Sequence, residues 1–355
     1  MVPDARLIRG FLVTLATAGF VAILAAFNAS KPRILVLQAA EKGTPWASGV
    51  DRGIRAVLAA NRRPVSVAWH WLGLTRTLSP QGRATAVASA HRAIASFDPD
   101  VLMAIDDEAN AAVAQEYARS GRPRVLYVSI DRVPEAYGYG PGANATGIVE
   151  RLPLAAVCDA LSAIRAGRPL RIAAVGAAND TGRAELAQVE SFDWAPHTLV
   201  AIRAATDTAD WRRFVETDAA TADVLLVLSY AGLDGPDGRP VDERELANWV
   251  EESARPLPIG LHAGYVFDGG GFAISPPPVA TGRLAMTLAL DLLDSPSGHA
   301  SQLPPPAISD HFDVAVNRRR LDRRQVTLPP IYIEAARAAG SLVDESNPLA
   351  VPQGR

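Results

Sequence analysis

From Lys31 onward, short apolar runs alternate with longer amphipathic ones, and the whole series occurs twice. In the first series the candidate strands are 33–38 (RILVLQ), 65–71 (VSVAWHW), 101–105 (VLMAI) and 125–130 (VLYVSI), with candidate helices near 47–60, 81–96 and 108–120. Strands separated by helical stretches of about 10 to 15 residues pack as right-handed βαβ units on a parallel sheet. RILVLQ and VLMAI are apolar almost throughout, as strands covered on both faces must be.

The stretch 137–147 (YGYGPGANATG) holds four glycines and a proline and reads as an irregular connection. A second series follows, with strands at 171–176, 198–202, 224–228 and 258–261 and helices near 154–166, 207–217 and 242–253. A further strand at 272–275 (FAIS) and a periodic apolar helix over 279–293 come next. After the prolines at 304–306, a strand at 312–316 precedes a short charged helix at 318–324. The predicted fold class is α/β: two Rossmann-like lobes with parallel sheets, facing each other across a cleft. The chain beyond residue 335 is expected to be a flexible tail.

The N-terminus has its own grammar. Asp4, Arg6 and Arg9 precede an uncharged run over 10–30, and the next charge is Lys31. A basic start followed by an apolar stretch is the layout of an export signal, and 21 uncharged residues are also close to the ~20 that span a bilayer. Residues 1–30 are therefore expected to be a signal peptide or a membrane anchor. Both place the remainder outside the cytoplasm, and both make the membrane a partner of this segment.

Several function classes are disfavoured. Hydrophobic residues at 48% and charged residues at 21% are a globular composition, not a disordered one. A net charge of −3 lacks the basic footprint of a nucleic-acid binder. Cys158 is the only cysteine, which excludes an intrachain disulfide, a CxxC pair and a cysteine zinc cluster. The six histidines show no i,i+4 pairing, so no metal site is expected. There is no G-x-S-x-G, no H-E-x-x-H, no P-loop and no G-x-G-x-x-G after the first strand, so neither a catalytic residue nor a cofactor is assigned.

In open α/β sheets ligands bind beyond the carboxyl ends of the strands. The residues there are Thr44 and Trp46 after the first strand, Asp106 and Asp107 after the third, and Ser129 and Asp131 at the fourth. In the second series they are Asn179, then Ser229 and Tyr230, then His262 and Tyr265. Acids and hydroxyls beside a helix start also serve as N-caps, and a tryptophan opening a helix also packs inward. Both readings stand at this point. Cys158 reads as a small core residue.

With the strand ends in view, several segments carry a family resemblance: RILVLQ with TPWASGVDRGIRAVL, FDPDVLMAIDDEA, VSIDRVPEAYG with NATGIVERLP, GYVFDGGGFAISPPPVATGRLAMTLALDLL and VAVNRRRLDRRQVTLP. In this order and spacing they resemble the extracytoplasmic solute-binding proteins of ABC importers with the type I periplasmic fold, in particular the tryptophan- and tyrosine-binding group. The resemblance covers about residues 33–330. It departs at 324–329 (RQVTLP), which lacks the family's usual glycine, and at the insertion-like GLDGPDGRP after Tyr230. No lipobox cysteine is present.

The resemblance implies three crossings between lobes, near 140–150, 266–272 and 304–310. Lobe I would then comprise 31–145 and 270–303, lobe II 146–269 and 304–335, and the tail 336–355. It implies a non-enzymatic protein that captures a small molecule, an amino-acid-like one by preference, and presents it to an ABC permease in the periplasm or at the inner membrane. A module signalling to a membrane sensor kinase, and less favourably a flavodoxin-like enzyme, are the alternatives.

Overall fold

The computed structural model describes residues 5–74, 79–164, 167–235, 237–294, 303–308 and 311–344. Helix α1 (Ala5–Ser30) precedes the globular body. The first half then runs β1 (Arg33–Gln38), α2 (Pro45–Ala60), β2 (Ser66–Trp71), α3 (Pro80–Phe97), β3 (Val101–Ile105), α4 (Asp107–Ala112), β4 (Arg124–Ile130) and β5 (Ala145–Val149). The second half runs α5 (Leu154–Ile164), β6 (Arg171–Ala177), α6 (Asp180–Ser191), β7 (Thr198–Ala205), α7 (Thr208–Glu216), β8 (Val224–Val227), α8 (Glu243–Ser253), β9 (Leu257–Gly260), α9 (Gly264–Phe267) and β10 (Phe272–Ser275). It is followed by α10 (Pro278–Asp294), β11 (Ala307–Ile308), β12 (Asp313–Asn317), α11 (Arg318–Arg323), α12 (Pro330–Ala339) and β13 (Leu342–Val343).

Two sheets result. One is wholly parallel, in the order β11-β5-β4-β3-β1-β2. The other is ordered β13-β12-β10-β9-β8-β6-β7, with β12 antiparallel to β10 and β13 parallel to β12. Each sheet is covered on both faces. Ile34 and Val36 of β1 face α2 and α10, while Leu35 and Leu37 face the α3 side. In the second sheet Ile172 and Ala174 face α5 and α6, and Ala173 and Val175 face α7 and α8. The two-lobed α/β architecture expected from the sequence is present.

Strand pairing locates the crossings a few residues downstream of the expected positions. β5 belongs to the first sheet, β10 to the second and β11 again to the first. The chain therefore passes between sheets at 150–153, at 276–277 and between β11 and β12, where residues 309–310 lie outside the described residues. The first shift has a clear cause. Gly147, which read as part of a loop, sits in β5, where a Cβ would lie 1.8 Å from the Tyr127 carbonyl oxygen. The glycine permits close approach to β4 instead of breaking the strand.

A second correction concerns the tail. Residues 336–343 are ordered, completing α12 and β13, while 345–355 lie outside the described residues. Tyr332, Ile333 and Ala336 bring one face of α12 onto the second lobe's core. Gly340 ends the helix at φ 72°, and β13 then pairs with β12. Helix α6 was likewise not anticipated; its sequence DTGRAELAQVES is polar apart from a narrow seam.

Candidate functional site

The carboxyl ends of β3, β4 and β5 meet those of β8 and β9 and the first half of α6, and this junction is strongly acidic. Backbone strain concentrates at its lobe I edge. Among the described residues only four non-glycine residues have positive φ, and Asp106 (79°) and Ser129 (54°) are two of them. Such conformations cost about 1–3 kcal/mol and gather at ligand clamps and active sites.

Each acid has a distinct setting. Asp107 is buried and accepts the Asp131 N–H at 2.9 Å, the Arg132 N–H at 3.5 Å and the Tyr137 hydroxyl. It is a clamp between the ends of β3 and β4. Among the described residues Asp106 accepts only the neighbouring Asp107 N–H, at 2.7 Å, and burial raises its pKa well above the ordinary aspartate value. Burial also raises Asp131 strongly, with the charges of Glu150 and Glu185 adding to the effect. Asp106 and Asp131 both keep part of their surface open to solvent, as groups lining a cleft do.

Two acids that strand-end reasoning missed complete the group. Glu150 begins the first crossing, is buried, and has its pKa raised first by burial. Glu185, fully buried on α6, accepts the Ser229 N–H at 2.9 Å through Oε2. Its Oε1 lies 2.5 Å from His262 Nε2. Burial lowers the His262 pKa, but the Glu185 charge and hydrogen bond, helped by Glu150 and Asp106, outweigh it and hold the imidazole at about 9. His262 is thus an imidazolium at neutral pH. The signal for Glu185 would have been an acid on the cleft-facing turn of α6, which required seeing α6 first.

The lobes touch across this group. Arg132, beyond β4, reaches Asp180 of α6 at 3.5 Å, while within the second lobe Gln188 of α6 accepts the N–H of Leu152, at the end of the crossing, at 3.0 Å. Arg151 donates to the carbonyls of Asp131 at 3.1 Å and Glu150 at 2.6 Å, bracing the first crossing.

Other expected site residues do other work. Tyr230, 7% exposed, donates to Asp268 at 2.7 Å and meets Trp211 edge-on in the second lobe's core. Tyr265, 1% exposed, donates to Glu251 at 2.8 Å. Both tyrosines are corrected from cleft wall to core, because each is buried and its hydroxyl finds an acid on its own lobe, half-buried Asp268 or buried Glu251. Asn179 caps α6, accepting from the Gly182 N–H at 2.9 Å and donating to the Ala231 carbonyl at 3.0 Å. Thr44 sits at the start of α2, and half-buried Trp46 packs against the α2–α10 side of the first lobe. No hydrogen bond joins either to the acidic group among the described residues. Asp106, Ser129, Asp131, Ser229 and His262 are brought together.

Among the described residues no set of three or more His, Cys, Asp or Glu side chains is arranged to hold a metal ion. Two cavities, of about 370 and 390 Å³, lie elsewhere: one beside α8 and α11, the other at the amino end of the first sheet.

Two consecutive α/β lobes, three crossings and a junction at the strand carboxyl ends define the type I periplasmic-binding-protein fold, and solved structures agree. The chain is similar to the ABC domain in complex with L-Trp from Streptococcus pneumonia (TM-score 0.60, 16% identity, 87% of this chain and 100% of that one). It is similar to a ligand-free, open substrate-binding protein with adhesive properties from Clostridium difficile (TM-score 0.61, 16% identity, 84% and 96%). A LacI transcriptional regulator from Lactobacillus brevis shares the fold at TM-score 0.51 with 13% identity, covering 78% of this chain and 97% of that one. No protein-family model matches the sequence, and comparison with curated protein sequences gives no match.

Proposed function

We propose that this protein is an extracytoplasmic solute-binding protein that captures a small molecule between its lobes and delivers it to an ABC importer. The observation that carries this reading is the acidic junction itself, where strained residues and buried or half-buried carboxylates from both lobes act electrostatically on one another. Burying unpaired carboxylates is costly, and a site that keeps them needs a ligand to offset them. A ligand touching both lobes favours the closed arrangement by its differential affinity, and a membrane permease reads that arrangement. An amino-acid-like solute fits, with an acid of the junction pairing its ammonium. No bond chemistry is required.

The N-terminal segment is read as an export signal or an anchor. Leu15, Phe20, Ile23 and Phe27 of α1 are about half exposed or more. Among the described residues no helix is long and apolar enough to cross a membrane. Mass spectrometry of the exported protein separates cleavage near Lys31 from an intact Met1. Thermal-shift screening of amino acids, amines and sugars tests the binding role. A rise of several degrees with one solute class is expected, and no rise with any would count against it.

A further inference from the structure

We propose that the solute is an organic cation of net positive charge, its ammonium groups held by Asp106, Asp131 and Glu150 at the junction. This rests on the solute-binding reading and names the charge class of the same site.

Ser129 supplies the observation independent of the acids. Its side chain is 5% exposed, yet its hydroxyl has no partner in hydrogen-bond geometry. It interacts with the Glu150 carboxyl and lowers its pKa, although the contact falls outside good hydrogen-bond geometry. A buried hydroxyl is normally satisfied, and one left open in a ring of acids, on a backbone held at φ 54°, marks a place for a donor that the chain itself does not provide.

The charges point the same way. Asp106, Asp131 and Glu150 form no ion pair among the described residues, although each acts electrostatically on the others. The cations nearby are engaged. His262 is held by Glu185, Arg132 reaches Asp180, and Arg151 donates to two backbone carbonyls. A neutral amino acid would carry its own carboxylate into this excess of negative charge, whereas a cation offsets it. The dispersed acids also suit an extended organic cation better than a metal ion.

The test is calorimetric titration of the purified protein with 1,5-diaminopentane, L-lysine and L-norleucine, the last matching lysine in length without the second ammonium. The same titrations are run on Glu150→Gln and Asp131→Asn, and the ligand-free unfolding midpoints of all three proteins are recorded. At least one dication is expected to bind tenfold or more tightly than norleucine, and each substitution to weaken it at least tenfold. Each substitution is also expected to raise the ligand-free midpoint, because it replaces a carboxyl whose ionisation burial disfavours with a neutral amide. An uncharged solute that binds at least as tightly, indifferent to both substitutions, overturns the charge assignment and leaves solute binding intact. Midpoints that fall overturn it as well, since the carboxylates would then be structural partners. No binding of these probes, with no response to a broad solute library, overturns both readings.

Discussion

His262 Nε2 lies 2.5 Å from Glu185 Oε1, and the other oxygen of the same carboxylate accepts the Ser229 N–H at 2.9 Å. One buried acid therefore ties α6 to the ends of β8 and β9, fixing the lobe II wall of the junction. Glu185→Gln keeps an acceptor for Ser229 and removes the charge. Burial then dominates at His262, and its pKa should fall from about 9 to below the ordinary 6.5. With the imidazole 31% exposed, we expect a stability loss on the order of 2 kcal/mol. NMR titration of the histidine and urea denaturation measure the two effects. An unshifted His262 would refute the pairing.

The pH dependence of the ligand-free protein follows from the same groups. His262 has a folded pKa raised above its unfolded value, so its stabilisation is complete below pH 6.5 and is lost as pH rises through about 9. Asp106, Asp131 and Glu150 are also raised, chiefly by burial. Their neutral forms favour the fold, and that contribution too is lost as pH rises from the ordinary carboxyl range through their folded values. Both effects have one sign. The unfolding midpoint should be higher at pH 6 than at pH 9.5, and a midpoint that climbs with pH would contradict these assignments.

The core tyrosines offer a contrast. Tyr230→Phe and Tyr265→Phe each remove a hydroxyl that donates to a buried or half-buried acid, Asp268 or Glu251. Each should cost about 1–3 kcal/mol in denaturant unfolding while leaving solute affinity within about twofold. A large affinity loss with unchanged stability would return them to the cleft.

Packing between α2 and α10 depends on missing side chains. A Cβ on Gly282 would lie 2.0 Å from the Val50 carbonyl oxygen, and one on Gly53 would lie 2.2 Å from that of Val279. Gly282→Ala must push the helices apart, at about 1–3 kcal/mol or more. Thermal unfolding measures the loss, and a neutral substitution would mean that the helices are less closely seated.

Most of the fold was legible because apolar runs such as RILVLQ and VLMAI can only be buried parallel strands. What escaped was set by tertiary contact. Gly147 looked like a turn residue, and only Tyr127 of the neighbouring strand explains it in β5. Helix α12 follows two prolines and shows its apolar face only against β12. At the junction, position after a strand located Asp106, Ser229 and His262, but whether a side chain turns inward or toward the cleft depends on a partner the sequence does not reveal. Tyr230 and Tyr265 turned inward to Asp268 and Glu251. Glu150 and Glu185 escaped because one sits in a crossing and the other in an unanticipated helix.

Native mass spectrometry shows whether the two lobes hold a small solute at the acidic junction. The purified protein would be incubated with a small-molecule extract of its own host, beside an Asp131→Asn, Glu150→Gln double variant. A discrete added mass is expected on the folded protein, released on unfolding and absent from the variant. A protein that stays bare, or an adduct carried equally by the variant, would contradict solute binding at the junction.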